Sequence, residues 1–336
     1  TLNRVILPVI RRVMPTVIAN ELVGVQPMTG PVGQIHTLRV RYADATTGGA
    51  TNVVAGDEAL SPFKIASSYS GNDSDPAKGA STATLEGAAG NRLNVQILKQ
   101  VVEAKSRKLS ARWTFEAAQD AQAQQGVDIE AEIMAALAQE ITAEIDQEIL
   151  TSLRALAGSA AAAFDQSAVS GTATFVGDEH AALAVLINQQ ANLIAQRTRR
   201  GAGNYAVVSS EALTVLQSAT TSAFARSTEG VFEAPTNTKF VGTLNNSMRV
   251  YVDGYAATGT DVLVGYKGPS EADAPAFYCP YIPLMSSGVV LDPSTFEPVV
   301  SFLTRYGYVE LSNTASSLGN AADYLARISM SNISFK

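Results

Sequence analysis

The stretch DIEAEIMAALAQEITAEIDQEILTSLRAL, residues 128–156, decides the fold. No Pro or Gly interrupts it, and an apolar residue recurs at every fourth position: Ile129, Ile133, Leu137, Ile141, Ile145, Ile149 and Leu153. This spacing predicts one spine helix over 128–157, about 45 Å long, with Asp128 as N-cap and Gly158 beyond its end. Because four residues exceed one helical turn, the apolar ridge winds around the axis. We therefore expect the two ends of the helix to pack against different elements.

The opposite face of this helix is acidic. Residues 113–153 contain nine acidic residues and no Lys or Arg, and Glu140, Glu144 and Glu148 line one side of the predicted helix. The row is either a solvated face or a surface that basic groups from another element or another copy of the chain approach. The candidate donor clusters, in rising order of preference, are Arg39/Arg41, Lys105/Arg107/Lys108 and Arg197/Arg199/Arg200.

Composition limits the class of protein. The chain has 336 residues, of which 46% are hydrophobic and only 16% charged, which suits a folded protein whose surface is covered by copies of itself. A net charge of −7 argues against a nucleic-acid-binding groove. The single cysteine, Cys279, allows no intrachain disulfide, and no apolar run reaches the roughly 18 residues of a membrane span.

The N-terminal quarter contains little material for a core of its own. Residues 1–20 are interrupted by Pro8 and Pro15 and are interpreted as an arm. Residues 35–42 alternate as a half-buried strand with Leu38, Val40 and Tyr42 on its apolar face. Of the 48 residues in 44–91, 28 are Gly, Ala, Ser or Thr. Such a segment is either a linker or an extended arm that finds its core on a neighbouring subunit.

The remaining elements follow in mixed order. We predict a strand over 93–114, helices over 115–125, 179–200 and 211–218, and strands over 205–208, 248–253, 262–264 and 302–311. Irregular alternation of helices and strands indicates an α+β fold.

The sequence offers little catalytic chemistry. His36 and His180 are interpreted as ordinary structural residues, and Cys279 as a buried, inert thiol. Residues 72–75, NDSD, lack the ligand count of a calcium loop. The sequence GAGNYA, residues 201–206, fits a dinucleotide-binding pattern but follows a helix end and opens no helix. We predict no enzyme activity, no cofactor and no metal.

Ten stretches, in order along the chain, carry a resemblance to a known family. They lie at 18–34, 38–42, 103–109, 118–120, 140–145, 198–204, 250–253, 264–268, 279–284 and 304–307. Together they resemble the major capsid protein of T-even-like tailed bacteriophages, a branch of the Hong Kong 97 capsid fold.

The resemblance implies an architecture of named parts. Residues 1–43 would form an N-terminal arm and first strand, 44–91 an extended loop, and 92–175 a peripheral domain containing the spine helix. Residues 176–296 would form an axial domain, and 297–336 a strand returning to the peripheral domain and a C-terminal tail. The extended loop is too short and polar for the folded insertion that relatives can carry.

The resemblance also implies the function. The chain would self-assemble into hexameric capsomers of an icosahedral head, built in the host cytoplasm, that encloses DNA without binding it specifically. Vertex, portal and decoration proteins are expected partners, and no interaction with a membrane is expected. A maturation protease would create the N-terminus at Thr1. Two alternatives stay open: a nanocompartment shell of the same fold, and a nucleotide-dependent oxidoreductase using residues 201–206.

Candidate contacts between subunits come from three places. The arm supplies Val5, Ile6, Leu7, Val9 and Ile10, and the extended loop supplies Phe63, Ile65 and Tyr69. The charged candidates are Glu140, Glu144 and Glu148, with Arg197, Arg199 and Arg200 as their partners.

Overall fold

The computed structural model describes residues 19–46, 52–59, 69–71, 79–169, 176–218, 224–226, 240–244, 247–311 and 321–335. Its helices are α1 (Ala19–Leu22), α2 (Thr82–Leu85), α3 (Phe115–Gln125), α4 (Ile129–Leu156), α5 (Gln166–Val169), α6 (Val176–Thr198) and α7 (Ser210–Ser218). Its strands are β1 (Gly24–Val25), β2 (Val32–Tyr42), β3 (Leu93–Glu103), β4 (Lys105–Arg112), β5 (Ala162–Asp165), β6 (Tyr205–Val208), β7 (Phe224–Arg226), β8 (Phe240–Leu244), β9 (Met248–Val252), β10 (Val262–Gly265), β11 (Ala276–Ser286), β12 (Val290–Leu291), β13 (Pro298–Glu310) and β14 (Leu325–Ser331).

The spine helix is confirmed as a single element, α4. The side chain of Asp128 caps it by accepting a hydrogen bond from the backbone N–H of Glu130 at 3.1 Å. At the other end Gly158 lies at a φ of 71°, the left-handed conformation that glycine adopts without a steric penalty.

The two halves of α4 do pack against different partners, as its winding ridge predicts. In the first half, Leu137 and Ile141 form a buried cluster with Val300 and Phe302 of β13. In the second half, residues 149–153 pack against a different cluster that includes strands β6, β9 and β10. The helix therefore joins two sheets.

The first sheet has five strands, in the order β1-β11-β13-β12, with β4 also paired to β13. Strand β13 is antiparallel to β11 on one side and to β4 on the other. Strand β11 was not predicted from the sequence, because Pro280 and Pro283 interrupt its pattern. The structure accommodates them with two register shifts, after Pro280 and after Ile282.

The second sheet has seven strands, in the order β5-β14-β10-β6-β9-β8-β7. It mixes parallel pairs, such as β6 with β9, and antiparallel pairs, such as β6 with β10. Helices α6 and α7 contribute Leu183, Ile187 and Val215 to the buried cluster on this sheet. The mixed order confirms an α+β fold.

Strands β2 and β3 form a separate antiparallel ribbon, whose register runs from Val32 opposite Glu103 to Tyr42 opposite Leu93. The base of the ribbon rests on β13. A Cβ atom at Gly307 would lie only 2.4 Å from Cγ1 of Val102, so the close approach requires glycine there.

Several predicted boundaries were wrong. The strand over 93–114 is two strands that separate at Ala104, whose backbone N–H donates to the carbonyl of Pro31 at the base of the ribbon. Helix α6 spans Val176–Thr198, not 179–200, and Arg199 takes the left-handed position after it at a φ of 51°.

The domain boundaries at 175 and 297 do not coincide with the boundaries of the sheets. Strand β5 comes from the predicted peripheral segment and β14 from the predicted tail, yet both join the seven-stranded sheet. The assignment of peripheral and axial domains stays a prediction.

Candidate assembly surfaces

The acidic row of α4 finds a basic partner within the same chain. The guanidinium of Arg107, on β4, lies 3.0 Å from the carboxylate of Glu144 and 2.8 Å from that of Glu148. One arginine thus bridges two carboxylates a turn apart on the helix, a geometry that suits its planar fork of donors. The contact ties the edge strand of the five-stranded sheet to α4.

Tyr306 completes this group. Its hydroxyl accepts a hydrogen bond from Nε of Arg107 at 2.7 Å and donates one to Glu148. Burial raises the pKa of Glu148, but the hydrogen bonds from Tyr306 and Arg107 outweigh it and leave that pKa below its ordinary value. Burial and the bond to Glu148 raise the pKa of Tyr306 to about 12. Glu148 is therefore a stable anion.

The preferred donor cluster was wrong for contacts within the chain. Arg200 pairs with Asp273 at 3.0 Å, and Arg39 pairs with Glu58 at 3.0 Å. Arg197 and Arg199 form no ion pair with any residue in the described part of the chain, and neither does Glu140. Contacts of these three residues with another subunit stay a prediction.

The ribbon carries a large apolar surface on one face. Residues of β2 and β3 that are directly opposite share a face, so even positions of β2 lie with odd positions of β3. All six large hydrophobic side chains that the ribbon exposes belong to this face: Val32, Leu38, Leu93, Val95, Ile97 and Val101. Their exposed fractions range from 51% to 71%, so the described part of the subunit leaves them largely uncovered.

The ribbon reverses the burial expected for its first strand. Leu38, predicted on the half-buried face, is 68% exposed, whereas Arg39 is 5% exposed and pairs with Glu58. The covered face was therefore wrong for the part of the strand around Leu38. It was correct at the end of the strand, where Tyr42 is buried and Val40 packs against the same cluster. The apolar alternation that indicated a core face instead marks a surface left open in the single subunit.

The described parts of the 44–91 segment do form a small cluster, contrary to expectation. Tyr69 is buried against Tyr42, Val53 and Ala59, with the rings of the two tyrosines 4.5 Å apart. Its hydroxyl donates to the carbonyl of Arg92. Tyr69 is therefore occupied within the subunit, and Phe63 and Ile65 lie outside the described residues. The calcium-loop candidate at 72–75 also lies outside them.

The arm candidates Val5, Ile6, Leu7, Val9 and Ile10, and Thr1, lie outside the described residues, and their roles stay predictions. The structure does place the segment that follows them. Leu22 and Val23 are fully buried beside the second half of α4. Glu21 accepts a hydrogen bond from the hydroxyl of Tyr251 and lies 3.4 Å from Arg249.

In the stretch 201–206, Gly203 is packed closely and presents no open backbone to a nucleotide. The stretch joins α6 to β6, and a Cβ atom at Gly203 would lie within 3.4 Å of Gly265, Val264 and Ala191. The glycines serve close packing. Cys279 is buried, and burial raises the pKa of its thiol, as expected of an inert group.

The described residues contain no group of three or more His, Cys, Asp or Glu side chains that could hold a metal ion. No helix among them is long and apolar enough to cross a membrane.

Comparisons with known proteins identify relatives over nearly the whole chain. The sequence family described as "Major capsid protein Gp23" matches residues 1–330. The chain is 31% identical to the major capsid protein of Vibrio phage KVP40, over 96% of this chain and 79% of that protein. It is also 31% identical to the major capsid protein of Enterobacteria phage T4, over 90% of this chain and 74% of that protein.

Solved structures agree on the fold. The chain superposes on a protein of Mycobacterium phage Bobi with a TM-score of 0.59 at 12% identity, covering 98% of this chain and 96% of the other. For the bacteriophage PhiM1 mature capsid the TM-score is 0.56 at 12% identity, covering 99% and 93%. The architecture is the Hong Kong 97-like fold of phage capsid proteins.

Proposed function

We propose, from the premise that this chain belongs to the family of the major capsid protein Gp23, that it assembles through hexameric capsomers into a closed icosahedral shell around phage DNA. The chain is a major capsid protein of the virion head, and its relatives are structural proteins, not enzymes. This identity overturns the oxidoreductase alternative and disfavours the nanocompartment.

One observation supports assembly most directly, namely the apolar face of the ribbon. Burying a Val, Leu or Ile side chain contributes about 1.5–3 kcal/mol, so covering all six would contribute roughly 10 kcal/mol. Association of two proteins costs on the order of 4–15 kcal/mol in lost freedom. A single contact of this kind is therefore marginal. A closed shell, in which every subunit both covers a ribbon and is covered by one, makes it stable.

Charge supports the same function. The net charge of −7 gives the protein no electrostatic reason to bind DNA tightly, which suits a wall that confines DNA. Portal, vertex and decoration proteins are proposed as partners on the family relationship alone.

Paired aspartate substitutions on the two faces of β3 test the proposal. Val95→Asp/Ile97→Asp charges the apolar face, and we expect soluble, folded subunits that no longer form closed shells in electron micrographs. Asn94→Asp/Gln96→Asp is the matched control, because it adds the same two charges to the other face of the same strand. We expect the control to assemble. Normal shells from the first variant would contradict the proposed role of the ribbon.

A further inference from the structure

Residues 332–335, the last that the structure describes, attach to the seven-stranded sheet at a place apart from the contacts discussed above. After β14, Asn332 adopts a φ of 51°, a left-handed turn that asparagine tolerates. Its side-chain amide donates to Asp165 at 3.1 Å. The turn directs Ile333 against the apolar cluster between α6 and the seven-stranded sheet.

Two buried polar side chains hold the next residue. The backbone N–H of Ser334 donates to Oε1 of Gln166 at 2.8 Å. Nε2 of His180 lies 3.3 Å from that same oxygen and 3.3 Å from the carbonyl oxygen of Ser334. Both neighbours are acceptors, so Nε2 carries the hydrogen. Gln166 is 4% exposed and His180 is fully buried, and the ring of Phe335 covers the imidazole at a centroid distance of 5.7 Å.

The orientation of the Gln166 amide is set by a carboxylate. Its Nε2 donates to Glu179 at 2.9 Å, which turns Oε1 toward Ser334 and His180. The flipped amide would bring its NH₂ group against the two N–H donors and its oxygen against the carboxylate. Glu179 thus acts on the backbone of Ser334 through Gln166.

We propose that residues 332–335 form a latch on the seven-stranded sheet, with Gln166 and His180 as its binding site and Glu179 as the residue that positions Gln166. The latch fixes the end of β14, which lies between β5 and β10 and so ties that edge to the rest of the sheet. Opening it would expose the buried imidazole and amide, two polar groups that leave their partners only at a cost.

Hydrogen exchange of the full chain, followed at the amides of 330–335, tests the latch. Gln166→Glu places a second carboxylate against Glu179, and we expect these amides to exchange about tenfold faster. In Gln166→Glu/Glu179→Gln the bond reverses, because the new amide at 179 donates to the new carboxylate at 166. That carboxylate still accepts from Ser334, so we expect exchange to return to within about threefold of the native rate.

Three controls make the result decisive. Glu116→Gln makes the same carboxylate-to-amide change on the exposed face of α3, and should leave the latch amides unchanged. The amides of β6 report the stability of the whole sheet and should not change in any variant. If they do change, Asn332→Ala, which alters the latch alone, should still accelerate 330–335 selectively. Native exchange in Gln166→Glu, or a double variant as fast as the single one, would overturn the proposal.

Discussion

The ribbon and the centre of the seven-stranded sheet use apolar strands in opposite ways. Strands β6 and β10 are continuous apolar runs, buried on both faces under helices and neighbouring strands. In strands β2 and β3, by contrast, the face that carries Leu38, Val95 and Ile97 is open, and only its end at Tyr42 is covered. Both patterns are typical of strands, but only the apolar side chains of β6 and β10 are covered by other parts of the same chain. An alternating strand predicts which side chains share a face and does not identify what covers that face.

The largest expected effect is the loss of stability when a large apolar side chain is truncated to Ala in each region. Leu263→Ala in β10 removes a fully buried side chain and should lower the free energy of unfolding by about 2–5 kcal/mol. Ile97→Ala in the ribbon should change it by less than about 0.5 kcal/mol in the unassembled subunit. Urea unfolding of unassembled subunits measures both. A loss at Ile97 as large as that at Leu263 would mean that the ribbon face is covered within the subunit.

A medium effect is expected where the ribbon joins the body. Gly307→Ala would place a methyl group against Val102, so β3 must move away from β13, at a cost of about 1–3 kcal/mol. Exchange at residues 99–103 should rise with the loss of stability. Gly79→Ala, at a glycine with open space around its Cβ direction, is the matched control and should be close to neutral.

The smallest effect concerns the charged contact between α4 and the first sheet. The folded pKa of Glu148 is depressed, so its contribution to stability is present above its ordinary value of 4.5 and is lost as pH falls below it. Glu148→Gln should therefore flatten the acid limb of the stability curve, by about 1 kcal/mol or less because the group is part-exposed. Glu140→Gln makes the same change at a residue of α4 that has no ion pair among the described residues, and is the matched control. Equal flattening by the two variants would contradict the assignment.

Local signals in the sequence predicted much of the fold. The four-residue spacing of α4, its Asp128 cap and the strand at β9 depend on neighbouring residues, and the structure confirms them. Strand β11 was missed because two prolines break its pattern, although bulges accommodate them. Strand β14, LARISMS, was not predicted either; Ala, Arg and two Ser among its seven residues weaken its apolar signal.

The candidate site was predicted less well, since its contacts join residues far apart in sequence. The acidic row did attract an arginine, but Arg107 comes from the second-ranked cluster. Only the register of β4 against β13, with Arg107 opposite Thr304, places that side chain over the helix. Consequently Glu144→Lys/Glu148→Lys should destabilise the single subunit, because both lysines would face Arg107.

The winding ridge of α4 has a mechanical consequence. Each four-residue step turns the ridge by roughly 40°, so the contacts at Leu137 and at Leu153 point about 160° apart around the axis. The helix thus packs against β13 near one end and against the seven-stranded sheet near the other, on nearly opposite sides of its axis. Rotation of α4 about its axis would therefore disturb the packing at both ends. A force that twists one sheet would be transmitted through α4 to the other sheet, which suits a protein that forms part of a shell.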